Sequence, residues 1–190
     1  MQTFKIYSIS AGWIEGCLKD SKKKYYFDYS YLTNFTEDLM KALLCVFTDI
    51  SEQENTNSFR AVWEPAEDAW KISLEKNKLY INIKNYEDDI TAEYDEDITL
   101  EFNALDFLQD FINEMNEIIK KYGLLGYRKS WGYEFPTSLL LKLQDICSNN
   151  NILQMDVLTE EENFGRETEK TNLSSEIELL NNITAKPPMP

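Results

Sequence analysis

Three short segments between residues 59 and 83 alternate apolar and polar side chains, with turn-forming residues between them. A period of two returns every second side chain to the same face of a β-sheet. Residues 64–68, where Pro65 restricts the backbone, predict a first turn, and Asn77 predicts a tight second turn. These segments predict an antiparallel meander, and a last strand over 98–102 follows it. The alternating apolar residues of the meander are Phe59, Ala61, Trp63, Trp70, Ile72, Leu74, Leu79, Ile81 and Ile83.

Further strands are predicted before the meander. Residues 4–18 alternate loosely and contain Gly12 and Gly16, which indicate a bulge or a kink. A polar, lysine-rich turn over 20–24 leads into an aromatic segment over 25–32. Aromatic side chains favour strands, so we expect this segment to pair back as a hairpin.

Apolar residues at helical spacing predict three helices. The first begins near Asn34, with Glu37 three residues later as a capping-box partner. The second covers 105–122 and ends at Gly123, since glycine favours the position after a helix C-terminus. Pro136 opens a third, shorter helix, because proline is tolerated in a first helical turn.

These elements predict an α+β fold. We expect an antiparallel sheet of about five or six strands, with amphipathic helices packed on one face. The hairpin over 63–70 and the helix over 35–47 are expected at the centre of the core.

The character of the chain changes near residue 148. Residues 1–148 are predicted to form a single α+β domain. Residues 149–190 form an acidic C-terminal extension, which we expect to be partly mobile or docked as a short helix. Within it, 152–158 predict an edge strand and 175–183 predict the helix.

Histidine is absent from all 190 residues. This excludes Ser-His-Asp and Cys-His catalysis and nearly all protein zinc sites. Cys17, Cys45 and Cys147 are odd in number and far apart, which is typical of buried thiols in a reducing compartment. No phosphate-binding loop or dinucleotide fingerprint is present. We therefore expect a protein that is not an enzyme and has no cofactor or metal.

The chain is strongly acidic, with 34 acidic against 19 basic residues and a net charge of −15. Such a field opposes binding to nucleic acid or to an anionic membrane and attracts a cationic partner. The start of the sequence lacks a secretory signal pattern, and the longest apolar run, 42–47, is too short to span a membrane. We expect a cytoplasmic protein; the residues do not indicate its oligomeric state.

Eight acidic residues and no basic residue lie between positions 87 and 101. A calcium loop would need a glycine that this run lacks. A solvated loop and a surface that contacts a cationic partner are the other interpretations, and all three stay open. The hypothesis of a partner-binding face assigns the site to Glu87, Asp88, Asp89, Glu93, Asp95, Glu96 and Asp97.

Two alternatives belong to other functional classes. Paired carboxylates are the chemistry of a Mg²⁺-dependent hydrolase, which would show a pocket where several acids converge. A housekeeping adaptor with an obligate protein partner would instead show a large exposed apolar patch.

Four short segments resemble, in the same order, a family of small uncharacterised bacterial proteins. They are Phe-Asp-Tyr-Ser-Tyr-Leu-Thr over 27–33, Asp-Leu-Met-Lys-Ala-Leu-Leu over 38–44, Trp-Glu-Pro-Ala-Glu-Asp-Ala-Trp over 63–70 and Gly-Tyr-Arg-Lys-Ser-Trp-Gly over 126–132, with Phe-Pro at 135–136. The resemblance covers about residues 27–145.

Two departures from the family pattern limit what the resemblance implies. Met40 stands where the family has leucine, and Asp68 with Ala69 replaces a Tyr-Arg type pair. The resemblance implies an immunity protein of a polymorphic toxin system, because many such proteins occur beside toxin genes. The expected partner is then a basic toxin domain, neutralised by protein–protein contact.

Overall fold

The computed structural model describes residues 2–48, 55–86, 96–148, 153, 156–159 and 167–184. The predicted α+β class is confirmed: antiparallel strands form two main sheets, with helices packed against them. The strands are β1 (Phe4–Ser10), β2 (Trp13–Lys19), β3 (Lys24–Ser30), β4 (Asn55–Trp63), β5 (Ala66–Glu75), β6 (Lys78–Tyr86), β7 (Glu96–Asn103), β8 (Asp156–Thr159) and β9 (Glu167–Lys170). The helices are α1 (Phe35–Thr48), α2 (Ala104–Trp131), α3 (Thr137–Ser148) and α4 (Leu173–Thr184).

The seven strands of the main body divide into two sheets, where the sequence predicted one of five or six strands. One sheet has the order β1-β2-β3 and the other β4-β5-β6-β7. The sheets approach each other at β3 and β4 through side chains rather than through a backbone ladder. Ser30 Oγ donates to Val62 O at 3.2 Å, and Val62 N donates to Thr33 Oγ1 at 3.1 Å.

An aromatic cluster joins both sheets and α1 in the core. The Trp70 ring of β5 lies 5.3 Å from Phe35 of α1 and 6.2 Å from Tyr29 of β3, measured between ring centroids. All three side chains are fully buried, so each contributes a large area of apolar contact. The predicted core centre is confirmed at Trp70 and Phe35, whereas Trp63 is only half-buried.

The predicted helix boundaries correspond closely to the observed ones. Asn34 precedes α1, and its side-chain amide donates to Glu37 Oε2 at 2.5 Å. Gly123 has φ 64° and ψ 169°, a conformation that is essentially restricted to glycine. The helix is interrupted there as predicted, but it resumes and runs to Trp131, where Gly132 forms a left-handed cap.

Side chains of α2 cover the outer edge of β1. An exposed strand edge presents unpaired N–H and C=O groups that promote association with other chains. Three backbone N–H groups along this edge instead donate to acceptors on α2, which fixes the helix beside the sheet. The bonds are Thr3 N to Asp110 Oδ2 at 2.9 Å, Ile6 N to Glu114 Oε1 at 3.0 Å and Ile9 N to Tyr122 Oη at 3.2 Å.

The strand predicted over 152–158 overlaps β8, which pairs with β9 in a separate two-stranded ribbon. The helix predicted over 175–183 falls within α4. Leu179 and Ile183 of α4 are buried, and α4 packs against α2 and α3.

Candidate partner-binding surfaces

Most of the predicted acidic face lies outside the described residues. This applies to Glu87, Asp88, Asp89, Glu93 and Asp95. Two of the seven predicted residues belong to the described start of β7. They are Glu96, whose backbone is paired with Asn85, and Asp97, paired with Lys84.

Asp97 projects from the outer side of the four-stranded sheet. Its carboxylate accepts a hydrogen bond from Asn82 Nδ2 at 2.5 Å, and Lys84 Nζ lies 3.6 Å away. The register of β6 and β7 places Lys84 directly opposite Asp97. The negative charge of Asp97 is therefore partly balanced within the chain, which weakens its attraction for a cationic partner.

The rest of this outer face is also a mixture of paired charges. Arg60 forms an ion pair with Glu67, and Lys78 forms one with Glu101. Both basic side chains are about half exposed. Exposed pairs of this kind contribute little net stability, but they leave no large field of a single sign.

A concave acidic cleft lies where the first turn of α2 meets the β2–β3 turn. Its volume is about 420 Å³, and no lysine or arginine lines it in the part of the chain that the structure describes. Four carboxylates and two phenylalanine rings contribute to its walls. The lining residues are Thr3, Asp20, Ser21, Glu101, Phe102, Asn103, Asp106, Phe107, Gln109 and Asp110.

Two of the four carboxylates hold the walls of the cleft together. Asp20 accepts from the backbone N–H groups of Lys22 at 2.7 Å and Lys23 at 2.6 Å, and from Glu101 N at 3.2 Å. Burial alone would raise the pKa of Asp20, but these three N–H donors outweigh it and lower the pKa. Asp110 Oδ2 accepts from both N and Oγ1 of Thr3.

The other two carboxylates of the cleft are accessible. Asp106 is exposed in the first turn of α2, next to the N-cap Asn103, whose side chain accepts from Asp106 N at 3.2 Å. Glu101 is half exposed and paired with Lys78. Within the described part of the chain, no group of three or more acidic or cysteine side chains is placed to hold a metal ion. Asp106 is therefore an accessible carboxylate at the mouth of the cleft, whereas Glu101 already has Lys78 as its partner.

A buried carboxylate at Asp68 was missed by the sequence analysis, which placed it in a turn. The turn is shorter than predicted, since Trp63 already pairs with Ala66 and Asp68 is part of β5. Asp68 is 1% exposed and accepts from Tyr25 Oη, from Tyr29 Oη at 2.5 Å and from Asn85 Nδ2 at 2.9 Å. Burial, then the nearby Asp68 charge, raises the pKa of Tyr29 well above its usual value.

The Asp68 cluster is structural because its donors come from both sheets. Tyr25 and Tyr29 belong to β3, whereas Asn85 belongs to β6. Trp70 Nε1 also donates to Tyr29 Oη, at 2.8 Å. Because side chains two residues apart in a strand share a face, extending the alternation from Trp70 towards the N-terminus would have placed Asp68 on the inner face. This pattern could have identified Asp68 from the sequence.

Three of the four segments quoted in the sequence analysis, over 27–33, 63–70 and 126–132, lie close together near residues 30–34. The start of the 63–70 hairpin is held by the Ser30 and Thr33 bonds to Val62. Trp131 Nε1 donates to Asn34 Oδ1 at 3.3 Å, and Tyr133 Oη donates to Tyr31 O at 2.7 Å. The Tyr31 side chain itself remains 55% exposed, so this junction presents an aromatic group to solvent.

No family model matches the sequence, and no curated protein or solved structure matches it significantly. Among the described residues, none of the helices is both long and apolar enough to cross a lipid bilayer.

Proposed function

We propose that this chain is a non-catalytic binding protein that neutralises a basic toxin domain by protein–protein contact, as bacterial immunity proteins do. The observation that carries this proposal is the acidic cleft at the start of α2. Among the described residues no lysine or arginine lines it, and Asp106 is its accessible carboxylate, with Glu101 beside it already paired with Lys78. A lysine or arginine side chain of a partner would enter this cleft and pair with Asp106.

The charge of the whole chain supports the same partner chemistry. A net charge of −15 attracts a cationic domain over several ångströms and raises the association rate, most strongly at low salt. The acidic run over 87–97 would add to this attraction, with Asp97 contributing least because Lys84 partly balances its charge. Exposed aromatic side chains such as Tyr31 would provide the apolar anchors that dominate many interfaces.

The first experiment is a pull-down from lysate of the source cells with the full chain as bait, at low and high salt. The proposal expects one basic protein, retained more strongly at low salt. That protein is then expressed in a bacterial host with and without the present chain. Toxicity that disappears on co-expression supports neutralisation, whereas a captured protein that is harmless overturns it.

Matched variants then test the cleft. Asp106→Asn with Glu101→Gln removes two charges from it, and Glu117→Gln with Glu134→Gln removes two charges elsewhere. Each double variant also removes at least one surface ion pair. The cleft variant should weaken binding of the captured protein about tenfold or more, while the control stays within about twofold. Equal effects would remove the cleft from the proposal.

The acidic run is tested separately by reversing Asp88, Asp89 and Asp95 to lysine. The association rate should fall and lose much of its salt dependence, with a smaller change in the dissociation rate. Unchanged association would exclude the run as a binding face. It would leave the cleft as the remaining candidate surface.

A further inference from the structure

The outward side of the three-stranded sheet has charges arranged in rows. Alternation along β2 and β3 leaves Glu15, Lys19, Lys24 and Asp28 exposed on this side. The register pairs Glu15 with Asp28 and Lys19 with Lys24. An acidic row and a basic row therefore cross the same two strands. A middle row formed by Cys17 and Tyr26 lies halfway between them and continues on β1 with Lys5, whose charge is balanced by Glu114.

Both charged rows are unfavourable within one chain. Like charges directly opposite each other on neighbouring strands are destabilising. Among the described residues, none of these four side chains forms an ion pair, although Lys24 Nζ lies over the Tyr26 ring at 4.1 Å. Burial and the neighbouring charge of Glu15 raise the pKa of Asp28. Each row would be stabilised by an outside row of opposite charge.

A second copy of the chain supplies that opposite charge in the correct places. The acidic and basic rows lie two residues on either side of the Cys17–Tyr26 row, about 7 Å away from it. Consider a twofold axis that lies between the two copies and runs parallel to this middle row. Rotation about it places β2 of the second copy over β2 and β3 over β3, with the strands running in the opposite direction. Lys19 then faces the second copy's residue 15, and Lys24 faces its residue 28.

We infer that this side of the three-stranded sheet is a self-complementary surface through which two copies of the chain associate face to face. Such an interface is isologous, which is the commonest arrangement in homodimers. Two aligned sheets packed in this way keep their strands within about 30° of each other. The four intermolecular ion pairs replace two repulsive contacts in each free chain.

The centre of the surface has the composition of an interface. Tyr26, in the middle row, is 63% exposed, and Tyr7, next to Cys17 of that row, is 46% exposed. Tyr7 Oη is 2.9 Å from Cys17 Sγ, which places its hydroxyl against the buried thiol. Tyrosine is enriched at protein interfaces because it contributes a large contact area together with a hydrogen-bonding group.

The occupant is a second copy rather than a basic domain because the two charged rows carry both signs equally, and Lys5, the basic side chain of the middle row, is already paired with Glu114. A partner of one sign would gain at one row and be repelled at the other. Three strands about 4.8 Å apart and about 20 Å long form a small face, below the roughly 800 Å² per partner of standard interfaces. The dimer is therefore weak and is populated at high protein concentration.

Sedimentation velocity of the full chain over a concentration series tests this inference at one ionic strength near physiological. The wild type should shift towards a dimer as concentration rises. Glu15→Lys with Asp28→Lys should abolish the shift, and so should Lys19→Glu with Lys24→Glu. Lys71→Glu with Lys142→Glu changes two charges elsewhere, and this control should keep the dimer dissociation constant within about twofold of the wild-type value. Circular dichroism checks that each variant is folded.

The acid-to-lysine variant separates specific pairing from general repulsion. This variant makes a strongly acidic chain less acidic. If only the general repulsion between acidic chains controlled association, the variant would dimerise more tightly, whereas pairing of the rows predicts that dimerisation is lost. The decisive result is rescue: an equimolar mixture of the two double variants should form a heterodimer, and the combined fourfold variant should dimerise again. A wild type that stays monomeric at submillimolar concentration, or a missing rescue, overturns the inference. Toxin neutralisation would be unaffected.

Discussion

The two main sheets use their solvent-facing sides in opposite ways. On the four-stranded sheet, cross-strand register brings basic side chains to acidic ones. On the three-stranded sheet, the register brings acids to acids and lysines to lysines. The pairs on the first face are Arg60–Glu67, Lys78–Glu101 and Lys84–Asp97; those on the second are Glu15–Asp28 and Lys19–Lys24.

This difference shows that the arrangement of charge is more informative than its amount. A face with internal pairs gains little from a partner, since an incoming charge must compete with a partner already present. A face with like charges opposite each other loses some stability in the free chain and gains when opposite charges arrive. The acidic composition alone does not distinguish these two cases.

The largest expected effect is a loss of stability caused by disrupting the packing of the three-stranded sheet at Gly16. A Cβ at Gly16 would lie 2.4 Å from Lys5 O and 2.4 Å from the Phe27 ring, so Gly16→Ala forces backbone and core apart. We expect a loss of about 3 kcal/mol or more in the free energy of unfolding, measured by urea denaturation. The control Gly126→Ala lies within a helix with its nearest contact at 3.8 Å, and it should be neutral or stabilising. Equal stability of the two variants would contradict the close packing at Gly16.

The next largest effect is a loss of stability from breaking the hydrogen bonds of Asp68 between the two sheets. Asp68→Ala removes the carboxylate to which Tyr25, Tyr29 and Asn85 donate, so the fully buried Tyr29 hydroxyl loses its acceptor. We expect a loss of about 2 kcal/mol in the free energy of unfolding. The milder Tyr29→Phe, which keeps the ring but removes one donor to Asp68 and the acceptor of Trp70 Nε1, should cost about 1 kcal/mol. A neutral Asp68→Ala would show that the cluster does not hold the sheets together.

The same elements show how far the sequence can be read. Periods of 2 and 3.6 predicted the α+β class and most helix limits, because these patterns are local. The junction between the two sheets includes contacts of Ser30 and Thr33 with Val62, which is about 30 residues away in the sequence. No local pattern indicates such contacts.

The candidate surfaces were less predictable for the same reason. The balance of Asp97 by Lys84, and the like-charge row of Glu15 and Asp28, follow from strand register. Register depends on which strands become neighbours. The acidic cleft requires Asp20 and Asp106, far apart in sequence, to meet at one place.

A smaller effect, with a pH signature, is expected at the cleft wall. Asp20→Asn retains one acceptor oxygen for the β2–β3 turn but loses the second, which holds Glu101 N. It should cost about 1 kcal/mol at neutral pH. The pKa of Asp20 is lowered in the folded state, so its stabilisation is present above the unfolded pKa and is lost as pH falls through the folded pKa. Unfolding measured from pH 7 down to acid should show the two proteins converging.

The smallest effect is the most direct comparison of the two faces, because one substitution is made on each. Asp28→Asn removes a repulsion with Glu15, whereas Asp97→Asn removes an attraction to Lys84. At neutral pH and a protein concentration low enough to keep the chain monomeric, Asp28→Asn should stabilise by about 0.3 kcal/mol and Asp97→Asn should destabilise by a similar amount.

The stability changes caused by these two substitutions should also depend on pH and on salt concentration. The pKa of Asp28 is raised in the folded state, so its carboxylate lowers stability above that pKa, and the loss is relieved as pH falls through it. The advantage of Asp28→Asn should therefore disappear in acid, and added salt should shrink both effects because both side chains are exposed. Thermal unfolding of the three proteins across pH and salt measures this. The same sign for both substitutions would mean that the cross-strand charges do not control the two faces, and the self-complementary surface would lose its energetic basis.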